Sequence, residues 1–239
     1  MIGIELLDDP RADAAAVRTE LRDIARLNSL FGGTRAVVRE LEMIFKRAGK
    51  REEGRGKSAT WTLLDVGTGL GDIPRAAAIA ARRYGITLRL VGIELSRGAA
   101  MAAREIESAD KLALVLADGG ALPLRPRSVD LVIASQVLHH LPREVAVRWI
   151  AAFGTLARRA VILADLRRSQ VAMAALWLAA YPLGFNAVTR HDGVLSLRRG
   201  YTRGEFNEML VAAGVHPVAR YRPGFRVVAA WESPLTPDP

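Results

Sequence analysis

At 239 residues the chain fits one α/β domain with additions, or a domain carrying a small cap, and half of its residues are hydrophobic, enough for a sizeable core. It contains no cysteine, which excludes structural disulfides, thiolate zinc sites and a cysteine nucleophile, and agrees with a cytoplasmic protein. The formal net charge of +9 comes mostly from arginines scattered along the chain, more often the pattern of a solvated surface, although nucleic acid or an anionic membrane surface could use that charge.

The opening MIGIELLDDP has neither the basic region nor the apolar core of a signal peptide, so no export is expected. From residue 10 to residue 31, Val17, Leu21, Ile24 and Asn28 follow helical spacing, and Leu27, Leu30 and Phe31 extend the apolar side until Gly32-Gly33 ends it. A second helix is expected from Thr34 to about Ala48, with Val37, Val38, Leu41, Ile44 and Phe45 on one face. Both helices need a partner surface, either the main domain or a second copy in a homodimer. Residues 49–59 turn to Lys, Arg, Glu and Gly, which marks a flexible linker. The expected organisation is therefore N-terminal helices over 1–49, a linker over 50–60 and the main domain over 61–239.

That domain opens on Thr62-Leu63-Leu64-Asp65-Val66-Gly67-Thr68-Gly69-Leu70-Gly71-Asp72. An apolar strand buried on both faces ends in a carboxylate and runs into a glycine-rich turn. Gly67, Gly69 and Gly71 permit positive φ and let a ligand approach the backbone. Asp72 is the expected N-cap of the following helix, with Pro74 in its first turn. A dinucleotide would place its pyrophosphate here and prefers G-x-G-x-x-G, but the spacing is G-x-G-x-G and Asp72 occupies the third glycine's place. Asp65 and Asp72 would repel a diphosphate and attract the sulfonium and ammonium of S-adenosylmethionine.

At these residues the sequence resembles the class I S-adenosylmethionine-dependent methyltransferases of small-molecule type, whose first motif has an acidic residue two positions before G-x-G-x-G. Thr87 to Ile93 is a second strand ending at Glu94, whose carboxylate can accept from two ribose hydroxyls, and Ser96 then caps a helix to about Ser108. Leu112 to Ala117 is a third strand before Asp118-Gly119. The resemblance implies that Asp118 contacts the adenine amino group and that the Leu-Pro-Leu after it is typical. Val129 to Ala134 is a fourth strand leading into Ser135-Gln136-Val137-Leu138-His139-His140-Leu141-Pro142, similar to the segment after that strand in the family. Pro142 opens a helix to about Leu156, and Ala160 to Ala164 is a fifth strand with Asp165 at its end.

Strands alternating with helices imply a parallel sheet with ligands at the strand carboxyl ends. The resemblance covers roughly Thr62 to Asp165 and implies a Rossmann-like seven-stranded α/β sheet with an antiparallel final hairpin, N-terminal helices that roof the substrate or contact a second copy, and a helical cap. It also implies S-adenosyl-L-methionine as cofactor, held by Asp65, Gly67, Thr68, Gly69, Gly71, Glu94, Leu95, Asp118, Gly119, Ser135 and Gln136.

Beyond Asp165, Ser169 to Phe185 reads as an apolar helix, too short at under ~18 residues to span a membrane. Asn186 to Arg199 contains Arg190-His191-Asp192-Gly193 and reads as a surface loop. Thr202 caps a helix ending at Gly214, and His216 to Tyr221 with Phe225 to Trp231 form the closing hairpin. The tail Ser233 to Pro239 reads as loose. The stretch 167–200 is the expected substrate cap, whose Val171, Met173, Leu176, Trp177, Leu178, Tyr181 and Phe185 form either an apolar wall or ordinary core. This cap resembles, more weakly than the core, bacterial O-methyltransferases acting on polyketide-type phenols such as alkylresorcinols.

Methyl transfer from a sulfonium is an in-line displacement, so the protein must hold the acceptor, exclude water and, for an oxygen acceptor, remove a proton. Imidazoles titrate near ~6.5 and suit that task. His191, oriented by Asp192, and His139 and His140 beside the cofactor are the candidate bases; positioning roles stay open for all three, and His216 reads as structural. No metal site is expected. The strand-four loop lacks the Asn-Pro-Pro-Tyr or Asp-Pro-Pro-Tyr of amino-directed DNA methylation and the paired glutamates of arginine methylation, which disfavours nucleic acid and protein acceptors. The expected acceptor is the hydroxyl of a hydrophobic aromatic small molecule, a phenol, polyketide or quinol. Carbon methylation of a quinone precursor is the nearest rival; an NAD-dependent oxidoreductase and a non-catalytic nucleoside-binding protein are the others.

Overall fold

The computed structural model describes residues 3–9, 11–52 and 59–233. Two helices, α1 (Ala14–Leu30) and α2 (Gly33–Glu52), precede the alternating core of β1 (Ala59–Val66), α3 (Asp72–Arg82), β2 (Ile86–Glu94), α4 (Arg97–Arg104) and β3 (Leu112–Leu116). Then come β4 (Val129–Ser135), α5 (Arg143–Leu156), β5 (Ala157–Leu166), α6 (Gln170–Ala180), α7 (Ala187–Arg199), α8 (Arg203–Ala212), β6 (Arg220–Arg222) and β7 (Arg226–Glu232). The seven strands form one sheet in the order β3-β2-β1-β4-β5-β7-β6, parallel except where β7 runs antiparallel to β5 and β6. It is the Rossmann-like methyltransferase architecture expected from the sequence.

All seven residues of β4 are buried, and its alternation divides the core. Leu131 and Ile133 point to the side covered by α2 and α3, where Leu41, Phe45, Ile73 and Ala77 pack with Trp61. Val132 and Ala134 point to the other side, against Trp149, Ile150 and Phe153 of α5 and Phe206, Met209 and Leu210 of α8. A central strand covered on both faces is apolar through its middle, here Leu131 to Ala134, while buried Asp130 at its start accepts from the Thr62 amide, Arg158 and Arg159; removing a buried leucine such as Leu131 costs about 2–5 kcal/mol. The chain leaves β1 in one direction to build β2 and β3, then returns to lay β4 on the other side. The crevice opened by that reversal, at the carboxyl ends of β1 and β4, is where ligands bind in such sheets.

Several local expectations change. Asp72 does not cap α3: Gly71, at φ 73°, is the N-cap residue and Asp72 is the first residue of the helix. Its carboxylate instead accepts from Thr34 Oγ1 at 3.2 Å, tying α2 to the glycine turn. Helix α2 runs on to Glu52, so residues 49–52 of the expected linker are helical, as Lys, Arg and Glu readily are; residues 53–58 of that linker lie outside the described residues, as do 234–239 of the expected loose tail. Helix α4 is capped by Ser96, whose Oγ accepts from the Ala99 amide, but it ends at Arg104 and not Ser108.

The largest change is at Asn186 to Arg199, expected as a loop and found as α7, with Asn186 Oδ1 accepting from the Thr189 amide at 2.8 Å. Gly193 sits inside the helix, where a Cβ would come within 2.7 Å of Leu176 on α6. Thr202 and Glu205 form the capping box expected at α8. The closing hairpin is shorter on its first arm, where only Arg220–Arg222 is strand.

Candidate active site

The glycine turn folds over the end of β2, with the amides of Gly67 and Thr68 both donating to the Ile93 carbonyl at 2.9 and 3.1 Å. Gly67, Gly69 and Gly71 all have positive φ, 73°, 51° and 73°, and a Cβ on Gly67 would come within 2.9 Å of Val137. Beneath the turn Asp65 is buried, and Thr68 Oγ1 donates to its Oδ2 at 2.8 Å. Burial pushes the Asp65 carboxyl up to about 7; Asp72 and Glu94 reinforce that rise, and the Thr68 hydroxyl opposes it.

Glu94, closing β2, accepts the Gly69 amide on Oε2 at 3.1 Å and the Leu95 and Ser96 amides on Oε1 at 2.9 and 3.2 Å. Burial raises its pKa and those amides oppose the rise. Both lone pairs of Oε1 are taken by amides, which leaves one lone pair, on Oε2, for a ligand hydroxyl. Asp118 holds the next turn through the Gly120 amide at 2.8 Å, and a Cβ on Gly119 would come within 2.6 Å of both Trp149 and Val66.

These elements border a cavity of about 730 Å³. Asp65, Gly67, Thr68, Gly69, Glu94, Leu95, Asp118, Gly119, Ser135 and Gln136 are on its wall; Gly71 is not, serving instead as the left-handed cap of α3. Gln136 has little freedom to turn towards a ligand. Its backbone is left-handed at φ 57°, its Nε2 donates to Asn28 Oδ1 at 2.6 Å, and its Oε1 accepts from Arg226 at 3.2 Å. It clamps α1 to β7. Ser135 Oγ is buried without a hydrogen-bond partner.

The histidines separate clearly. His139 is buried on the cavity wall, its Nδ1 2.6 Å from Asp165 Oδ1, while its Nε2 has no hydrogen-bond partner. Asp165 also accepts the amides of His139 and Leu166. Burial alone would raise the Asp165 pKa, but the His139 ring, the Leu166 amide and the nearby His140 outweigh it and hold the group below its ordinary value. His140 stacks on His139 with ring centroids 4.2 Å apart and places Nδ1 2.7 Å from Asp8 Oδ1. His191 bonds Asp192 at 2.8 Å as expected, but its side chain is 70% exposed and it is not on the cavity wall. On a helix, only its neighbour Asp192 turns inward.

The acids arriving from the N-terminus escaped sequence reasoning, since no local signal marks them. Glu5, Asp8 and Glu20 line the cavity with Asp192 of α7. Arg199 answers two of them, lying 3.1 Å from Glu5 and 2.8 Å from Asp8. Burial pushes Glu20 up to about 8, with Asp192 and Glu5 adding to the rise. Contrary to the expectation of no metal-ligand set, Glu5, His139 and His140 offer ligand atoms within 4.8 Å of one another.

The apolar part of the wall comes from α1 through Leu21, Ile24 and Leu27, from Phe31, and from Ala172, Ala175 and Leu176 of α6. Helix α1 therefore covers the cavity while α2 joins the core. The apolar wall expected of the cap is reduced: Leu176 faces inward, whereas Val171, Trp177, Leu178 and Tyr181 are exposed. A helix apolar on every side has no sequence pattern to say which face turns inward. Among the described residues no helix is long and apolar enough to cross a membrane.

Residues 64–174 match the family described as "Methyltransferase domain". The chain is 38% identical over 127 residues to an uncharacterized methyltransferase of Mycobacterium avium, covering 53% of this chain and 45% of that protein. It is 39% identical over 90 residues to one of Mycobacterium ulcerans, covering 37% and 33%. The chain thus spans less than half the length of these curated relatives. In fold it is similar to human N-acetylserotonin methyltransferase, solved in complex with S-adenosylmethionine, at TM-score 0.62, 11% identity and coverage of 92% of this chain and 56% of that one. A methyltransferase from Aquifex aeolicus superposes at TM-score 0.53 with 13% identity, covering 77% and 87%.

Proposed function

We propose that this chain, whose residues 64–174 match the family described as "Methyltransferase domain", is a class I S-adenosylmethionine-dependent methyltransferase that transfers the methyl group to a hydroxyl of a hydrophobic aromatic small molecule. The observation that carries the reading is one cavity shared by two chemistries. On one side are strand-end acids and a glycine turn suited to a cationic nucleoside; on the other are an apolar wall and a buried histidine with a free nitrogen. Glu94 would take a ribose hydroxyl on Oε2, Asp118 the adenine edge, and Asp65 with Asp72 the positive charge of the methionine part. The same acids disfavour NAD, whose diphosphate they would repel.

In the proposed reaction the acceptor hydroxyl lies against His139. Ionised Asp165 requires His139 Nδ1 to carry a proton, so in the neutral ring Nε2 has the lone pair. That nitrogen takes the hydroxyl proton as the oxygen attacks the methyl carbon. The carbon–sulfur bond breaks, its electron pair returns to sulfur, and the sulfonium becomes the neutral thioether S-adenosylhomocysteine. Binding both reactants in line at ~3–3.5 Å supplies much of the acceleration. Carbon methylation would need the same cofactor site but no proton taken from oxygen. The two are separated by the product: incubation with S-adenosylmethionine and a panel of phenols and quinols should yield methyl ethers by mass spectrometry, and ring-methylated products alone would replace oxygen with carbon as the acceptor atom.

A further inference from the structure

We infer that Glu5, His139 and His140 form a binding site for one divalent transition-metal ion of the Zn²⁺ class, open to the cavity. Their ligand atoms lie within 4.8 Å of one another, and all three residues are on the cavity wall.

The arrangement around the two imidazoles carries the inference. A metal-bound histidine usually donates its second ring N–H to a carboxylate, which fixes the ring and raises the basicity of the coordinating nitrogen. Both rings have such a partner here, Asp165 for His139 at 2.6 Å and Asp8 for His140 at 2.7 Å. In each case the partner sits on Nδ1, and Nε2 is left for an ion. His139 Nε2 is buried and without a hydrogen-bond partner, on a side chain only 2% exposed. A buried nitrogen lone pair left unmatched is costly, and an ion would satisfy it. His140 Nε2 is 3.8 Å from Glu5 Oε2, a separation that an ion with bonds of ~2.0–2.2 Å to each can bridge.

Glu5 is 3% exposed and is held by the Ser196 hydroxyl at 2.8 Å and Arg199 at 3.1 Å. Its carboxylate is thus fixed in position and has lone pairs to spare. The surplus of acid nearby, marked by the raised pKa of Glu20, would be offset by a double positive charge. Two imidazoles and one carboxylate suit Zn²⁺ and its neighbours, and three protein ligands leave a position for an oxygen from the cavity. Ion and proton compete for the same lone pair on His139, so in the loaded chain the ion, and not the ring, would lower the pKa of a bound hydroxyl.

The inference needs only these side chains and stands whether or not methyl transfer is the reaction. Its test is calorimetric titration of the chelator-stripped full chain with Zn²⁺, comparing the wild type with Glu5→Gln, His140→Gln and the surface double variant His191→Gln/His216→Gln. One ion per chain is expected in the wild type and the double variant. Glu5→Gln and His140→Gln should each weaken binding by more than the ~10- to 100-fold typical of losing an outer partner. Absence of wild-type binding, affinity unchanged in both ligand variants, or binding lost in the double variant would each overturn the site. Should a ligand variant fail to fold, histidine NMR of the double variant decides, since only His139 and His140 remain. Zn²⁺ must shift both Nε2 signals, and unshifted signals would refute the assignment.

Discussion

His139 Nδ1 and Asp165 Oδ1 lie 2.6 Å apart with both side chains almost fully buried. The pair joins the segment after β4 to the end of β5, two strands that neighbour each other in the sheet. Because the Asp165 pKa is held below its ordinary value, its stabilising contribution is present above the unfolded carboxylate pKa. It is lost as pH falls through the lower, folded value.

Asp165→Asn should lower turnover by roughly 10²- to 10⁴-fold, the range expected for disabling a general base, while S-adenosylhomocysteine affinity changes little. Steady-state kinetics and calorimetry on one preparation check both halves. Equal losses of turnover and cofactor affinity would instead mark the pair as part of the cofactor site.

For Glu94 the expectation is a cofactor effect. Glu94→Ala removes charge-assisted hydrogen bonds worth about 1.5–3 kcal/mol, so S-adenosylhomocysteine should bind at least ~10-fold more weakly. Glu94→Gln keeps part of the amide contacts that order the turn and should fall between. Wild-type affinity in Glu94→Ala would leave this residue as a strand-end brace only.

Asp65 links cofactor binding to pH. Its carboxyl is pushed up to about 7, and in the proposed complex the ammonium of S-adenosylmethionine would pair with the ionised form. Affinity should therefore rise as pH passes upward through about 7, by up to ~10-fold per unit on the acid side. Asp65→Asn should bind weakly with a flatter profile; identical profiles would remove Asp65 from the ligand's charge environment.

Glu20 should make stability depend on pH in the opposite sense. Its folded pKa of about 8 exceeds the model-peptide value, so between roughly pH 4.5 and 8 the folded chain holds a proton the unfolded chain releases. Stability from this group is complete below that window and falls as pH rises through it, by at most about 1.4 kcal/mol per pH unit. Denaturant midpoints at pH 5 and 8 should differ less for Glu20→Gln than for the wild type, and equal differences would contradict the shift.

The sheet and the strand-end side of the cavity were legible because their signals are local. Asp65, Glu94 and Asp118 each follow an apolar run, and the fold alone brings strand ends together. Gly71 and Gln136 show the limit: one shapes the helix start and the other is bound to Asn28 and Arg226, contacts 108 and 90 residues away in sequence. The acceptor half was not legible. Glu5 and Glu20 reach His140 and Asp192 only through tertiary packing, and nothing near them in sequence marks them as buried. His191 was expected in the substrate-facing stretch beside Asp192, but that stretch is helical, and on the helix its side chain points away from the side that Asp192 turns inward.

The central claim is a cationic nucleoside at the carboxyl ends of β1, β2 and β3. Parallel calorimetric titrations of the full chain with S-adenosylhomocysteine and with NAD test it most directly. The account predicts one S-adenosylhomocysteine per chain, with affinity reduced by Glu94→Ala, and no measurable NAD binding. Binding of NAD without S-adenosylhomocysteine would contradict it.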